Sequence, residues 1–257
     1  MKSDCWRSAT SSGRKPSDIF PESSGVSDAK KRSTSSSATP KTPAPETDST
    51  RRAPTGCCGG CDVLTGGNHI FRKKEIRHYL DESEIVVRPA NYPYGTPGNG
   101  YTIFGVNGFN ILIINLLGTI YMESLACPFM TADRILEREK GRYDLAVLDF
   151  HAEATSEKIA LGRYLDGRIS AVWGTHTHVA TADNQVLPKG SGYVTDLGMS
   201  GPPDGVLGIR ADIIIEKLRT KLPVKFEFAE GATEVNGVIF ALDTDSGKCV
   251  STERVKF

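Results

Sequence analysis

The chain has no excess of charge of either sign. Its 31 Lys and Arg are matched by 31 Asp and Glu, giving a formal net charge of zero. Proteins that grip nucleic acid electrostatically carry a basic surplus, so a charge-led DNA-binding reading has no support. Long apolar runs are missing too. The longest, Ile111 to Leu117 with Asn115 inside it, falls far short of the roughly 20 residues that cross a bilayer. Nor does Met1 to Thr50 contain the apolar core of a secretory signal. These absences lead to the expectation of a cytoplasmic protein with no membrane partner.

Cysteines in a complete zinc-finger pattern are also lacking. Of the six, Cys5, Cys127 and Cys249 are scattered, while Cys57, Cys58 and Cys61 sit together in GCCGGC. Structural zinc takes four ligands, and no fourth Cys or His stands at finger-like spacing unless His69 serves. The cluster therefore reads as a Gly/Cys linker.

What is present divides into two textures. Residues 1–61 are rich in Ser, Thr and Pro, with Lys and Arg spread among them and neither strand alternation nor a helical stripe. Such a segment buries too little apolar surface to offset the entropy of ordering, so a disordered or aberrant tail is expected. Asp4, Asp18, Glu22 and Asp28 count against a transit peptide.

Residues 62–257 read as a folded α/β domain. DVLTGG, NILIINLLG, YDLAVLDF, ISAVWGTHTH and GYVTDLG are short apolar runs typical of buried strands. Between them KKEIRHYLDES, TADRILEREKG, the stretch from Ala152 to Leu165, and IRADIIIEKLRTKL carry helical signals. The terminal stretch KFEFAEGATEVNGVIFALDTDSGKCVSTERVKF reads as alternating strands. In such folds ligands gather at the carboxyl ends of strands.

That rule gives the histidines meaning. Asn68 and His69 follow DVLTGG, His151 follows YDLAVLDF, and His176 and His178 follow ISAVWGT, using four of the chain's five histidines. Taken singly, each has an ordinary structural explanation: a turn asparagine, a core histidine, a loop pair. Their joint placement at three strand ends favours a site for a first-row divalent metal, to which imidazole and amide donors are suited. In that reading Asn68 contributes its amide oxygen, and His69 stands beside the metal as a proton donor.

The blocks GNHIFRKKEI, RPANYPYGTPGNGY, INLLG, DFHAEATSEKIALGRYLDGRISAVWGTHTHVATADNQVLPKG and YVTDLGMSGPPDGVLG cover most of the chain after residue 61. Through them it resembles the YmdB-like branch of the calcineurin-like metallophosphoesterases, bacterial enzymes described as 2′,3′-cyclic-nucleotide phosphodiesterases. The resemblance implies a four-layer sandwich of two mixed sheets flanked by helices. It further implies that Asn68, His151 and His176 bind one metal, that His178 binds a second, and that His69 is the general acid. Iron or manganese is the metal pair it implies.

One part of the family pattern is missing. Family members open with a strand ending in Gly-Asp-Val-x-Gly and a second ending in Glu-Asn-x-Ala, whose carboxylates hold the metals together. Neither motif occurs in residues 1–61. Asp18 follows no apolar strand and Glu46 sits among prolines. The expectation is at most one metal, impaired catalysis, and a fold lacking its first strands. Arg72 also stands where the family usually has an Asp. Residues 1–61 are of the length of the missing segment, which fits a wrong-frame translation upstream of Asp62; the other two frames of the DNA test that. The competing reading is a non-catalytic module that binds a nucleotide or RNA. Arg72, Arg88 and Lys158 are its candidate phosphate contacts, weighed against surface or helix-face roles.

Overall fold

The structure, a computed structural model, describes residues 61–257. The tail reading, the thiols of Cys57 and Cys58, and the side chains of Asp18 and Glu46 lie outside the described residues.

Among the described residues, ten strands and four helices follow in chain order. They are β1 (Leu64–Thr65), α1 (Ile76–Glu82), β2 (Val86–Val87), β3 (Tyr101–Val106), β4 (Phe109–Leu117), α2 (Pro128–Arg138), β5 (Leu145–His151), α3 (Thr155–Leu165), β6 (Ala171–Thr175), β7 (Gln185–Val186), β8 (Gly192–Val194), α4 (Ala211–Thr220), β9 (Asn236–Leu242) and β10 (Cys249–Lys256). Six strands form one mixed sheet in the order β3-β4-β5-β6-β8-β7. Its centre, β4-β5-β6-β8, is parallel. β4 and β5 are buried along nearly their whole length because both faces are covered, which is why they read as continuous apolar runs rather than as alternation.

One face packs against helices. Leu112, Ile114, Leu116, Leu148 and Phe150 of the sheet meet Ala132 and Ile135 of α2 and Leu161 and Leu165 of α3. Helix α2 starts with Pro128 in its first turn, where the missing N–H costs no hydrogen bond. The other face, with Ile113, Val147 and Trp173, packs against Val63 and Val87 beside the β1–β2 pair and against Val238 and Phe240 of β9. Outside that pair, α1 buries Ile76 and Leu80 against Val86 and Ile70. Helix, sheet, strand pairs and helix thus stack in four layers.

Two features depart from the sequence reading. The second sheet is split into a parallel β1–β2 pair and an antiparallel β9–β10 pair, which share no strand among the described residues. Beside the first pair, Thr65 Oγ1 and Asn115 Oδ1 are buried without a hydrogen-bond partner among the described residues. KFEFAE is not a strand either; Phe228 makes only a single bridge to Ile209. Helix α4 forms where its pattern places it but buries none of its residues, so Ile215 and Leu218 stay exposed.

Candidate metal centre

Register brings the chemistry to one end of the sheet. Leu117 of β4 pairs with His151, the last residue of β5, and His151 pairs with Thr175, the last residue of β6. His176 and His178 follow directly. From the β1 side, the turn after Thr65 brings Asn68 over the same strand ends. Asn115, the polar interruption in the apolar run of β4, fixes that turn by donating through Nδ2 to the carbonyls of Gly66 (2.5 Å) and Val87 (3.1 Å). Gly67 must be glycine because its backbone lies against the His151 ring: an added Cβ would sit 2.6 Å from Nε2.

Three donor atoms converge. His151 Nε2 is 3.0 Å from Asn68 Oδ1 and 3.0 Å from His176 Nδ1. Which atoms carry lone pairs follows from the opposite edges of the two rings. The Thr175 hydroxyl donates to Asp149 Oδ1 at 2.8 Å, so at 3.0 Å it accepts from His151 Nδ1–H. Burial pushes the His151 pKa well below the ordinary imidazole value, with the neighbouring His176 and Lys158 acting in the same direction. The ring is therefore neutral, with its lone pair on Nε2. Burial also lowers the His176 pKa, against the opposing pull of Glu153. Its Nε2–H faces Glu153 Oε2 at 3.1 Å, which leaves the lone pair on Nδ1.

In these tautomers an amide oxygen and a second imidazole nitrogen each bring a lone pair to within 3.0 Å of His151 Nε2. Without a cation such an arrangement is repulsive, and with one it is a donor set for a first-row divalent metal. By this chemistry the residues present fit the metal implied by the resemblance. No group of three or more His, Cys, Asp or Glu side chains gathers as a metal shell among the described residues. The cluster depends on its asparagine, and Glu153 contacts His176 on the edge away from the convergence.

His69 is exposed in the turn beside Asn68, and its carbonyl accepts from the Arg72 N–H at 2.9 Å. It and His178 lie close enough to His151 to bias that ring's charge. Two proposed phosphate contacts are corrected. Arg88 spends its guanidinium on the carbonyls of Pro97, Pro89 and Thr96, at 3.0, 2.8 and 3.2 Å, and so shapes its own loop. Lys158 is 1% exposed and bonded to Asp196 at 2.7 Å, out of reach of any solute. Arg72 is exposed.

Sequence reasoning missed Thr175, Asp149, Glu153 and Asp196. A signal existed for Lys158. It shares the spacing of Leu161, Gly162 and Leu165 on the buried stripe of α3, so its charge sits at a core position.

An α/β sandwich with amide and imidazole donors at the strand ends is the architecture of a metallophosphoesterase. More particularly, the chain belongs to the YmdB-like protein family, whose profile matches residues 57–255. It is 50% identical over 196 residues, 76% of this chain and 74% of the relative, to the 2′,3′-cyclic-nucleotide 2′-phosphodiesterase of Bacillus subtilis (strain 168). Among solved structures it resembles a hypothetical protein of Thermus thermophilus, with a TM-score of 0.71 and 42% identity over 77% of each chain. A phosphatase of Mycoplasma pneumoniae matches with a TM-score of 0.71 and 34% identity, over 77% of this chain and 72% of that one. The chain is a member of a family of phosphodiesterases.

Proposed function

We propose that this chain hydrolyses 2′,3′-cyclic nucleotides, or RNA ends of that chemistry, with a divalent cation at Asn68 Oδ1, His151 Nε2 and His176 Nδ1. The convergence of three lone pairs carries this reading. A manganese or iron ion held by these three residues would supply positive charge against the phosphoryl group and would lower the pKa of a water molecule toward neutrality. His69, exposed beside Asn68, gives its proton to the departing ribose oxygen. The P–O2′ bond breaks, a P–O bond to water's oxygen forms, and a nucleoside 3′-phosphate leaves.

His178 is the donor toward a second cation in this reading. No carboxylate among the described residues completes a shell around it. The proposal is therefore one cation per chain and turnover below that of a paired centre. Residues 62–257 constitute the catalytic domain, residues 1–61 a low-complexity or aberrant extension, and the cytoplasm its compartment; no described helix is long and apolar enough to cross a membrane.

The test is hydrolysis of 2′,3′-cyclic AMP and bis-p-nitrophenyl phosphate with added Mn²⁺. Loss of the general acid in His69→Ala should lower turnover by about 10²- to 10⁴-fold. Equal rates in the two proteins remove His69 from the chemistry. No turnover in either, with nucleotide binding retained, favours the non-catalytic module.

A further inference from the structure

We infer that Lys158 and Asp196 are positioning residues for the His176-Thr177-His178 turn, acting on it through Thr177. The inference rests on the reading of this turn as a cation-binding element. Both histidines are in a backbone conformation that L-residues rarely adopt, with φ of 99° at His176 and 64° at His178. Such positions persist only where the surroundings over-determine them.

Thr177, between the two, is where the surroundings act. Its N–H and its hydroxyl both donate to Asp196 Oδ2, at 3.1 and 2.8 Å. Lys158 Nζ donates to the same oxygen at 2.7 Å, and the Gly198 N–H holds Oδ1 at 2.9 Å. Each oxygen of the Asp196 carboxylate is thus engaged, and the Lys158 and Asp196 side chains are each 1% exposed. The backbone is held too, by Leu197 N–H to Gly174 O at 3.0 Å and Thr181 N–H to Asp196 O at 3.1 Å. Lys158 reaches the carboxylate from α3 because Gly174 leaves space: a Cβ there would meet Lys158 Cδ at 2.8 Å.

A buried ion pair is a poor device for stability, since an apolar pair of equal volume often does as well. An apolar pair, however, offers no acceptor to the Thr177 N–H and O–H. The function left to the pair is to fix a strained turn so that both imidazoles are in place before a cation arrives, with no reordering at that moment.

The experiment uses the full chain, first metal-free. Amide hydrogen exchange is followed at positions 177 and 178, and Mn²⁺ affinity by the electron paramagnetic resonance signal of unbound Mn²⁺, both well below the melting temperature of every variant. Thr177→Val keeps the volume and deletes one donor. It should exchange faster at these amides and bind Mn²⁺ about 10- to 100-fold more weakly, the usual loss for a residue that orients a ligand. Thr177→Ser, which keeps the hydroxyl, should match wild type in both. The double variant Lys158→Met/Asp196→Leu should show the larger loss. Wild-type exchange in Thr177→Val overturns the inference, as does failure of Thr177→Ser to restore it. If wild type itself takes up no Mn²⁺, the metal reading fails, while the exchange rates still decide the clamp.

Discussion

Thr175→Val isolates the hydrogen bond that sets the His151 tautomer. The substitution keeps the branched shape and removes only the hydroxyl, in a place where Thr175 and His151 are each 2% exposed and Asp149 is fully buried. Two bonds disappear: His151 Nδ1–H to Oγ1 at 3.0 Å, and Oγ1–H to Asp149 at 2.8 Å. Leaving a buried polar group short of a partner costs about 1–3 kcal/mol, so with two bonds lost urea unfolding should show a loss of roughly 2–6 kcal/mol. The effect on the ring is separate. With no acceptor at Nδ1, the proton moves to Nε2, where Asn68 Oδ1 accepts it, and the lone pair turns away from the convergence. A net hydrogen bond of about 0.5–1.5 kcal/mol then appears as a roughly 2- to 10-fold loss of Mn²⁺ affinity. Nitrogen-15 spectra of the imidazoles report the tautomer, and a Mn²⁺ titration the affinity. Thr175→Ser should restore both. A Thr175→Val protein that keeps the proton on Nδ1 and binds Mn²⁺ like wild type would refute the reasoning.

Two further outcomes follow from the same geometry. Gly67→Ala should displace the His151 ring, since the new Cβ would lie 2.6 Å from Nε2; Mn²⁺ binding measured by calorimetry should be lost while far-ultraviolet circular dichroism keeps the α/β signature. Acid should destabilise the protein through His151. Its folded pKa lies well below the unfolded value near 6.5, so the unfolded chain binds the extra proton first and stability falls as pH drops below about 6.5, by at most about 1.4 kcal/mol per pH unit for this one group. Urea midpoints between pH 8 and pH 5 measure this, and His151→Gln should flatten the slope.

The strand ends were legible because the parallel core is buried on both faces, so its apolar runs announce themselves and whatever follows them stands at the ligand edge. That logic put Asn68, His69, His151, His176 and His178 at three strand ends, and the family resemblance singled out Asn68, His151 and His176 among them. In the fold His151 Nε2 lies 3.0 Å from both Asn68 Oδ1 and His176 Nδ1. The supporting residues were not legible, for a physical reason. Asp196 meets Lys158 and Thr177, and Thr175 meets Asp149, only once separate strands and α3 come into register. Nothing local marks them except the charge of Lys158 at a core position of its helix. KFEFAE shows the opposite failure. Its alternation is real, but the segment finds only one bridge, to Ile209, and no neighbouring strand among the described residues, so pattern alone did not make a ladder.

Metal stoichiometry of the purified full chain tests the central claim most directly. After saturation with Mn²⁺ and removal of excess, elemental analysis should find one ion per chain in wild type and none in His151→Ala. Two ions per chain, or one that survives loss of His151, would contradict the account.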